Sequence, residues 1–566
     1  TSDTYIEKDA SVNETLDRLR NAATRSLLER EDVIIVASVS CIYGLGSPDA
    51  YRDMGVPVAR GGRVDRDELL RSLARIQYRR NPVELRPGAM RSRGDVVEVH
   101  PAYEEGRALR IELFGDMVEE LRWFDPLTGE VKEELSEVTV WPVGHYVTPE
   151  DRLEKAVKRI EAELAVALPI LRAEGKLLEA QRLDQRTLYD LEMLREIGFC
   201  SGIENYSRHL DGRGEGEPPA CLLDYFPEDF VVFLDECHVT LPQVGGMYRG
   251  DRSRKQTLVE HGFRLPSALD NRPLRPEEFA TLVPRMVYVS ATPGPAEREQ
   301  AGRAIVDQVV RPTGLMDPQV EVRPAEHQVD DLLGELNAVA NAGARALVTT
   351  LTKRMAEELT DYFKGLGVRC RYMHSDIDAL ERHALIRDLR LGVYDTLIGV
   401  NLLREGLDLP EVCLVAVLDA DKEGFLRSET SLVQTMGRAA RNVDGRVILY
   451  ADRTTRSMQA AMDVTDKRRA AQKEWNREHG ITPATVKSDI KDALASIYEA
   501  DYAGIPSVAE DAHHLPEDAA TLRAEIEDTR KAMLAAAREE EYEEAAALRD
   551  RVRFLEEAEL EKGGTL

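Results

Sequence analysis

The chain has 566 residues, of which 43% are hydrophobic and 31% charged, a composition that excludes a wholly disordered protein. This length predicts several domains, each long enough to bury a core. Its 75 basic and 103 acidic residues give a formal net charge of −28, which argues against a general coat on nucleic acid. Any DNA contact should therefore be confined to a local basic or aromatic surface.

No apolar run approaches the roughly 18 residues of a membrane span, so we expect no membrane partner. The six cysteines are scattered and form no C-x-x-C pair. Their spacing argues for neither a disulfide framework nor a zinc site, and it fits a reducing cytoplasm.

The first 55 residues predict a helix followed by a strand. Apolar residues from Leu16 to Leu27 recur on one helical face. Residues 33–39 are typical of a buried strand, and they lead into a glycine-punctuated loop over 40–46. That loop could contact a phosphodiester backbone, although a plain strand–loop junction is an equally good interpretation.

Residues 56–145 show short runs of alternating hydrophobicity, which predict an inserted, largely β domain. This segment carries a group of arginines that includes Arg80, Arg91 and Arg93. In so acidic a chain, a local arginine group is a candidate for docking an acidic partner surface. The alternative is an ordinary solvated edge strand.

Residues 150–200 have apolar stripes at helical spacing, with Pro169 expected to break or kink the first helix. The apolar run 231–234 then predicts a buried parallel strand that ends in Asp235 and Glu236. Two acids at such an edge suit nucleotide hydrolysis: Asp235 would hold Mg²⁺ through its water shell, and Glu236 would orient or deprotonate the attacking water. A solvated acid pair is the alternative.

A second apolar strand over 286–289 ends in a small hydroxyl-bearing segment that contains Ser290 and Thr292. These residues would link a nucleotide site to a neighbouring strand of nucleic acid, whereas a helix N-cap is the simpler interpretation.

From about residue 328, predicted strands alternate with predicted helices, which indicates βα units and a parallel sheet. The strands are predicted over 346–350, 368–373, 396–400, 412–418 and 447–450. In the predicted helix 432–442, Arg438 and Arg441 lie three residues apart on one face. Two such guanidiniums can reach a phosphate tail, although surface salt bridges would also explain them.

The end of the chain predicts a linker over 496–520 and an amphipathic helical hairpin over 521–560. A hairpin this small has little core, so it is expected to pair with a partner's helical hairpin.

Several of these stretches resemble superfamily 2 helicase motifs. The segments 235–238, 290–292 and 401–410, together with the Gln434-x-x-Gly437-Arg438-x-x-Arg441 pattern, are similar to motifs II, III, V and VI. More specific are the segments 38–48, 198–209 and 419–427. These resemble the UvrB family, the damage-verifying subunits of bacterial UvrABC nucleotide excision repair, and the resemblance extends over nearly the whole chain, including a UVR motif in the tail.

The resemblance implies an α/β fold with two RecA-like helicase domains, the first incomplete. The implied divisions are residues 1–55, the remainder of the first RecA-like domain with the returning arm of a β-hairpin; 56–145, the inserted UvrA-binding β-rich domain; 146–205, a helical insertion; 206–315, the first RecA-like domain continued; 316–495, the second RecA-like domain; 496–520, the linker; and 521–560, the UVR domain.

The resemblance also implies a function. Such a protein takes damaged DNA from UvrA, probes one strand with the β-hairpin in an ATP-dependent manner, and recruits UvrC for incision. The cofactors implied are ATP and Mg²⁺, and a second copy of the chain is a further candidate partner.

The site residues implied are Asp235, Glu236, Arg438 and Arg441 for catalysis, with Asp235 and Glu236 at the metal; Gln434, Gly406 and Asp408 for the nucleotide; Ser290 and Thr292 for coupling; Tyr5, Glu7 and Lys8 for DNA; and Arg80, Arg91 and Arg93 for UvrA. The hairpin over 521–560 would bind UvrC.

The chain departs from the family's pattern in two respects. Cys237 stands where the family usually has serine. The sequence begins at Thr1 and contains no G-x-x-x-x-G-K-[ST] phosphate loop, so it looks like an N-terminally truncated member. Because that loop cradles the phosphates, we expect the chain as written neither to bind nor to hydrolyse ATP appreciably, and to load poorly onto lesions.

Two other functions compete with this one. The first is a catalytically inactive adaptor that bridges UvrA and UvrC. The paired Arg438 and Arg441 count against it, because a dead site has no physical need for arginine fingers. The second is a transcription-coupled repair translocase, for whose additional motor and polymerase-binding modules the chain has no room.

Overall fold

The computed structural model describes residues 14–373, 379–400, 409–485 and 530–531. The chain divides into two compact units. Of the described residues, 14–234 and 239–287 belong to the first unit. Residues 235–238 and those described between 288 and 485 belong to the second. Together they form a mixed α/β structure with a β-rich part, a helical part and a parallel sheet, which confirms the predicted fold class.

Helices up to residue 282 are α1 (Glu14–Glu29), α2 (Pro48–Asp53), α3 (Arg66–Arg75), α4 (Glu150–Ala173), α5 (Leu177–Ile197), α6 (Ser207–Asp211), α7 (Cys237–Glu260) and α8 (Pro276–Leu282). Among the helices of the described residues, none combines the length and the apolar character that crossing a bilayer requires.

The β-rich part contains β1 (Val56–Ala59), β2 (Arg79–Arg80), β3 (Ala89–Arg93), β4 (Val96–His100), β5 (Ala108–Phe114), β6 (Met117–Phe124), β7 (Val131–Glu134) and β8 (Glu137–Val140). Strands β2 to β7 form one sheet in sequence order, and β1 pairs with β8. Val97, Ile111 and Leu121 are paired across β4, β5 and β6, and all three are buried. Alternation along each strand therefore places one face of the sheet in a core.

Helices α4 and α5 pack through buried apolar residues such as Ile160, Leu164, Leu183 and Leu194. The stripe predicted for α5 holds only in part, because Leu177 and Leu188 are exposed. The prediction that Pro169 breaks the first helix is wrong, since α4 continues past it to Ala173, and a kink at Pro169 stays a prediction. A proline in a helix interior removes one hydrogen bond, and the apolar face on both sides of it supplies packing that offsets this loss.

The strand predicted over residues 33–39 is also wrong. This stretch is extended without strand pairing and runs into a short 3₁₀ helix, Val39–Ile42. Ile34 and Val36 are 92% and 96% exposed. A strand requires a partner for its backbone hydrogen bonds, and none of the described residues supplies one here.

Strands β9 (Val232–Leu234) and β10 (Met286–Tyr288) form a two-stranded sheet. Both strands lie where the apolar runs predict them. The expectation that the first is buried holds only in part, because Leu234 is buried but Phe233 is 69% exposed. A strand is fully buried only when other elements cover both faces of its sheet, and this two-stranded sheet is not covered on both faces at Phe233.

The second unit contains a six-stranded sheet of β11 (Gln319–Arg323), β12 (Arg345–Thr349), β13 (Cys370–Met373), β14 (Thr396–Gly399), β15 (Val412–Val417) and β16 (Arg446–Tyr450). Its helices are α9 (Pro295–Ala301), α10 (Gln328–Asn341), α11 (Lys353–Gly365), α12 (Ala379–Leu391), α13 (Glu429–Met436) and α14 (Arg456–His479).

The strand order is β11-β16-β15-β12-β14-β13, and all pairs are parallel. Every residue of β15 is buried, as the continuous apolar run predicts for a strand covered on both faces. The side chain of Arg427 is buried against the ends of two neighbouring strands. Its Nη2 donates hydrogen bonds to the carbonyl oxygens of Leu418, at 2.8 Å, and Thr349, at 3.4 Å.

Candidate nucleotide-linked site

The acid pair lies in the turn between β9 and α7. Leu234 ends the strand, Asp235 and Glu236 follow, and the helix begins at Cys237. The Glu236 amide donates a hydrogen bond to Asp235 Oδ1 at 3.0 Å. Glu236 has a φ of +45°, a left-handed conformation that is uncommon for a residue with a side chain. The two carboxylates therefore lie just beyond a strand end, where the sequence places them.

One imidazole joins three of the predicted motif segments. His238 lies 2.7 Å from Ser290 Oγ through Nδ1, and 2.5 Å from Gln434 Nε2 through Nε2. An amide N–H can only donate, so Gln434 donates to Nε2, and the Nδ1–H of His238 donates to Ser290. All three residues belong to the second unit. The structure thus connects the segment after the acid pair with both the Ser290 segment and the Gln434 helix.

The segment around Ser290 is held from two further directions. Ser290 Oγ also accepts a hydrogen bond from the Thr292 amide at 2.9 Å, which closes a tight turn. On the far side, Arg468 of α14 donates to the carbonyl oxygen of Ala291 at 3.0 Å. These bonds fix the backbone of a short segment that has no regular secondary structure of its own.

The two candidate arginines lie in a 3₁₀ turn and not in the predicted helix. Helix α13 ends at Met436, and Gly437–Arg441 forms a 3₁₀ helix. Residues i and i+3 are eclipsed in a 3₁₀ helix, so Arg438 and Arg441 still share one side of it. The buried Ala439 and Ala440 between them anchor the turn. Arg438 and Arg441 are therefore in a 3₁₀ helix and not in an α-helix, but they still share one face.

The acid pair fits Mg²⁺ in a particular way. In the part of the chain that the structure describes, no group of three or more His, Cys, Asp or Glu residues is arranged to hold a metal ion. Mg²⁺ is commonly held by only one or two carboxylates, with water and substrate phosphates completing its shell. Asp235 and Glu236 supply two carboxylates, which suits that arrangement.

The arginines of the β-rich part occupy one sheet but differ in exposure. Arg80 on β2 and Arg93 on β3 are exposed. The side chain of Arg91 is only 16% exposed and is paired with Glu98. Glu98 also binds Arg110 Nη2 at 2.8 Å. Arg91 is therefore fixed by a buried acid.

Some predicted site residues lie outside the described residues. These are Tyr5, Glu7 and Lys8, Gly406 and Asp408, and, apart from residues 530–531, the hairpin over 521–560.

Three residues with clear structural roles were missed as site residues. His238, Arg468 and Glu98 each join segments that are distant in sequence. For His238 a signal was present, because it stands beside the acid pair. Neither Arg468 nor Glu98 has any such local signal, since each acts through a contact that only the fold creates.

Family models match the chain in consecutive segments. They are the UvrB interaction domain at residues 56–146, the UvrB third helical domain at 151–212, the helicase conserved C-terminal domain at 327–443, the ultra-violet resistance protein B model at 449–491 and the UvrB/uvrC motif at 523–558.

The UvrABC system protein B of Syntrophotalea carbinolica is 56% identical over 562 residues, which cover 99% of this chain and 84% of that protein. The chain belongs to the UvrB family. The corresponding protein of Enterococcus faecalis is 60% identical over 500 residues, covering 88% of this chain and 75% of the relative. The chain therefore has the UvrB role in nucleotide excision repair, and it is a member of a family of helicase-like ATPase subunits.

A solved structure of Dbp5 from S. cerevisiae bound to RNA and ADP BeF3 is 15% identical and covers 53% of this chain and 78% of that one. Its TM-score is 0.29, which is too low to carry an inference about function.

Proposed function

We propose that this UvrB-family chain verifies damage by ATP-dependent probing of a DNA strand that it takes from UvrA, and that it then recruits UvrC for incision. The observation that carries the proposal is the imidazole of His238, which is hydrogen-bonded to both Ser290 and Gln434. A protein that uses hydrolysis to move on DNA needs a physical link between its acid pair and its other motif segments. His238 supplies such a link.

In this proposal Asp235 and Glu236 are the residues that would hold Mg²⁺, and Glu236 also orients the attacking water. Bound MgATP supplies the free energy for strand probing. Arg438 and Arg441 bind phosphate oxygens, since a guanidinium fork matches their geometry. Gln434, Gly406 and Asp408 complete the nucleotide-contacting set.

The coupling route runs through side chains. A change at the acid pair alters the position of His238, which holds Ser290 directly and Thr292 through the Ser290 hydroxyl. Ser290 and Thr292 therefore act as coupling residues. A change at one site can be passed to another through a hydrogen-bond network if that network can adopt two distinct conformations.

The remaining roles concern macromolecular partners. Arg80, Arg91 and Arg93 dock UvrA, and Glu98 positions Arg91 for that contact. Tyr5, Glu7 and Lys8 contact the DNA, where a tyrosine can stack on any base and so suits the reading of damage over sequence. The hairpin over 521–560 binds the similar hairpin of UvrC.

The ATP-dependent part is tested by measuring DNA-stimulated hydrolysis in two forms of the chain. The 566-residue chain, whose sequence contains no phosphate loop, should show only background hydrolysis. A form with a strand–G-x-x-x-x-G-K-[ST]–helix segment placed ahead of Thr1 should hydrolyse ATP. In that form Glu236→Gln should abolish hydrolysis and retain nucleotide binding. Hydrolysis that persists in Glu236→Gln would overturn the assignment of the water-orienting acid.

The partner-dependent part is tested by the co-elution of the chain with UvrA. Replacing Arg80 and Arg93 with glutamate should abolish co-elution, because the acidic docking surface would then be repelled. Replacing the exposed Arg354 and Arg477 with glutamate is the matched control and should leave co-elution unchanged. Equal retention of UvrA by both forms would count against the docking assignment.

A further inference from the structure

We propose that two exposed arginines of α7, Arg249 and Arg252, bind consecutive phosphates of a DNA strand. This inference rests on the proposed function, because it assumes that the chain acts on DNA. It assigns a phosphate-binding surface to a helix outside the acid pair, the Ser290 segment and the arginines of the β-rich part.

The local charge is opposite to that of the whole chain. Residues 246–255 contain the four cations Arg249, Arg252, Arg254 and Lys255 and a single acid, Asp251. Four positive charges and one negative charge give a local net charge of +3, whereas the chain as a whole carries −28. A confined basic surface is what an acidic protein needs in order to hold a polyanion.

Helical spacing separates this charge into a neutral buried side and a positive exposed side. Asp251 and Lys255 are both buried and form an ion pair of 3.0 Å. The Lys255 ammonium also donates to the carbonyl oxygen of Asn271. The buried acid is thus paired within the protein, and its Oδ1 also accepts a hydrogen bond from Arg254 at 3.2 Å. Arg249 and Arg252, one turn apart, are exposed on the other side.

These two arginines differ from Arg354 and Arg477, which are exposed helical arginines paired with acids. Within the described ranges, no carboxylate lies within 4.0 Å of the guanidinium of Arg249 or Arg252. By contrast, Arg354 pairs with Glu358 at 2.8 Å. Arg477 likewise pairs with Glu474 on its own helix. The exposed side of α7 therefore keeps its full positive charge available to a ligand.

A phosphodiester strand explains these features better than an acidic protein surface does. Phosphates repeat along a strand at intervals that two guanidiniums one helical turn apart can both reach. The hydroxyl of Ser253, which is exposed and adjacent to Arg252, is also a group that commonly donates to phosphate oxygens. Contacts of this kind hold a strand without reading its sequence, as damage verification requires.

The test measures DNA affinity by fluorescence anisotropy, using the full chain with a labelled single strand and a labelled duplex at several salt concentrations. Replacing Arg249 and Arg252 together with alanine should weaken binding by the same factor for unrelated sequences. It should also reduce the slope of log K against log salt by about 1.4 on the single strand and about 1.8 on the duplex, which corresponds to two lost phosphate contacts.

Two control variants separate this effect from a loss of structure. Lysine at both positions keeps the charge and should restore the slope. Alanine at Arg354 and Arg477, which are exposed but paired with acids, should leave the slope unchanged.

Binding to DNA with an unaltered slope in the alanine variant would overturn this inference and leave the proposed function standing. Loss of UvrA co-elution together with an unaltered slope would instead assign the surface to a protein partner. If the unmodified chain bound neither DNA, this inference would fail, whereas the proposed function is decided separately by the hydrolysis and UvrA co-elution measurements.

Discussion

The carboxylate of Glu98 lies 2.8 Å from the guanidinium of Arg110, its directly paired neighbour on the adjacent strand β5. The other neighbour of Glu98, Arg91 on β3, is its ion-pair partner on the opposite side. Glu98 is only 6% exposed. One buried acid thus pairs with two cations in a sheet whose other buried residues are mostly apolar.

Glu98→Ala should destabilise the protein by about 3–5 kcal/mol, because it leaves two partly buried guanidiniums without their counter-charge. Chemical denaturation monitored by circular dichroism measures this loss. Glu358→Ala is the control, since Glu358 and its partner Arg354 are exposed, and it should change the free energy of unfolding by less than about 0.5 kcal/mol. A loss as small as that of the control would mean that solvent reaches Glu98.

His145 should make stability depend on pH. Its ring is stacked on Tyr51 at 5.5 Å, and its Nε2 is 3.0 Å from the Thr24 hydroxyl. Burial, with a smaller contribution from Arg20, lowers the pKa of His145 to about 4. The unfolded chain, with a histidine pKa near 6.5, then binds more protons between these values. This contribution is complete above about pH 6.5 and is lost as the pH falls towards 4.

Between pH 7 and pH 5, the loss from His145 should be about 2 kcal/mol. Parallel denaturation curves at the two pH values measure it, and His145→Phe should remove that part of the pH dependence while keeping the stacked ring. His261→Phe, at a histidine near the surface, is the comparison variant. An unchanged pH dependence in His145→Phe would assign the effect to other groups.

Replacing Gly262 or Gly334 with alanine should change the stability of the protein in opposite directions. Gly262 has a φ of +68°, and a Cβ there would lie 2.3 Å from the carbonyl oxygen of Glu179. Gly262→Ala should cost about 2–4 kcal/mol through left-handed strain and overlap with backbone. Gly334, inside α10, has nothing within 4 Å of that position. Gly334→Ala should stabilise by about 0.5–1 kcal/mol. Thermal denaturation of both variants measures these changes in stability. Equal changes in Tm would contradict the difference in space around the two glycines.

His238 should matter for coupling more than for binding. In the form of the chain that carries a phosphate loop, His238→Ala should leave nucleotide affinity nearly unchanged and reduce the stimulation of hydrolysis by DNA about tenfold, which is typical of one lost coupling contact. Hydrolysis rates with and without DNA measure this stimulation.

Gln434→Ala should also reduce the stimulation, and the double variant should lose no more stimulation than His238→Ala, because that variant already removes the hydrogen bond between the two residues. His479→Ala changes an exposed histidine stacked on Trp475 and should have no effect. Full stimulation by DNA in His238→Ala would show that coupling bypasses this residue.

The sequence predicts five of the six strands of the second unit's sheet, and it does so best for strands that are covered on both faces. It misses β11, an edge strand in which most residues are exposed. A continuous apolar run such as that of β15 has one stable environment, so the pattern determines both the strand and its burial. The acid pair after β9 was predicted for a related reason, since strand ends in such sheets carry the polar residues.

The failures share a different cause. The run over 33–39 has a strand's composition, but strand formation depends on a partner that no local pattern specifies. Pro169 breaks a helix in isolation, yet packing on both sides of it maintains α4. The bonds of His238 with Ser290 and Gln434 join residues far apart in sequence, and only the fold brings them together.

The buried Arg427 has a consequence for how the second unit can take part in nucleotide chemistry. The order of its strands reverses between β12 and β15, and an open parallel sheet usually offers a ligand crevice at such a switch point. Here the protein's own guanidinium caps the carbonyl oxygens of Thr349 and Leu418 at those strand ends. Among the described residues, Arg427 therefore occupies the crevice between these two strand ends. A small molecule could bind to the backbone there only by displacing this side chain from the two carbonyl oxygens.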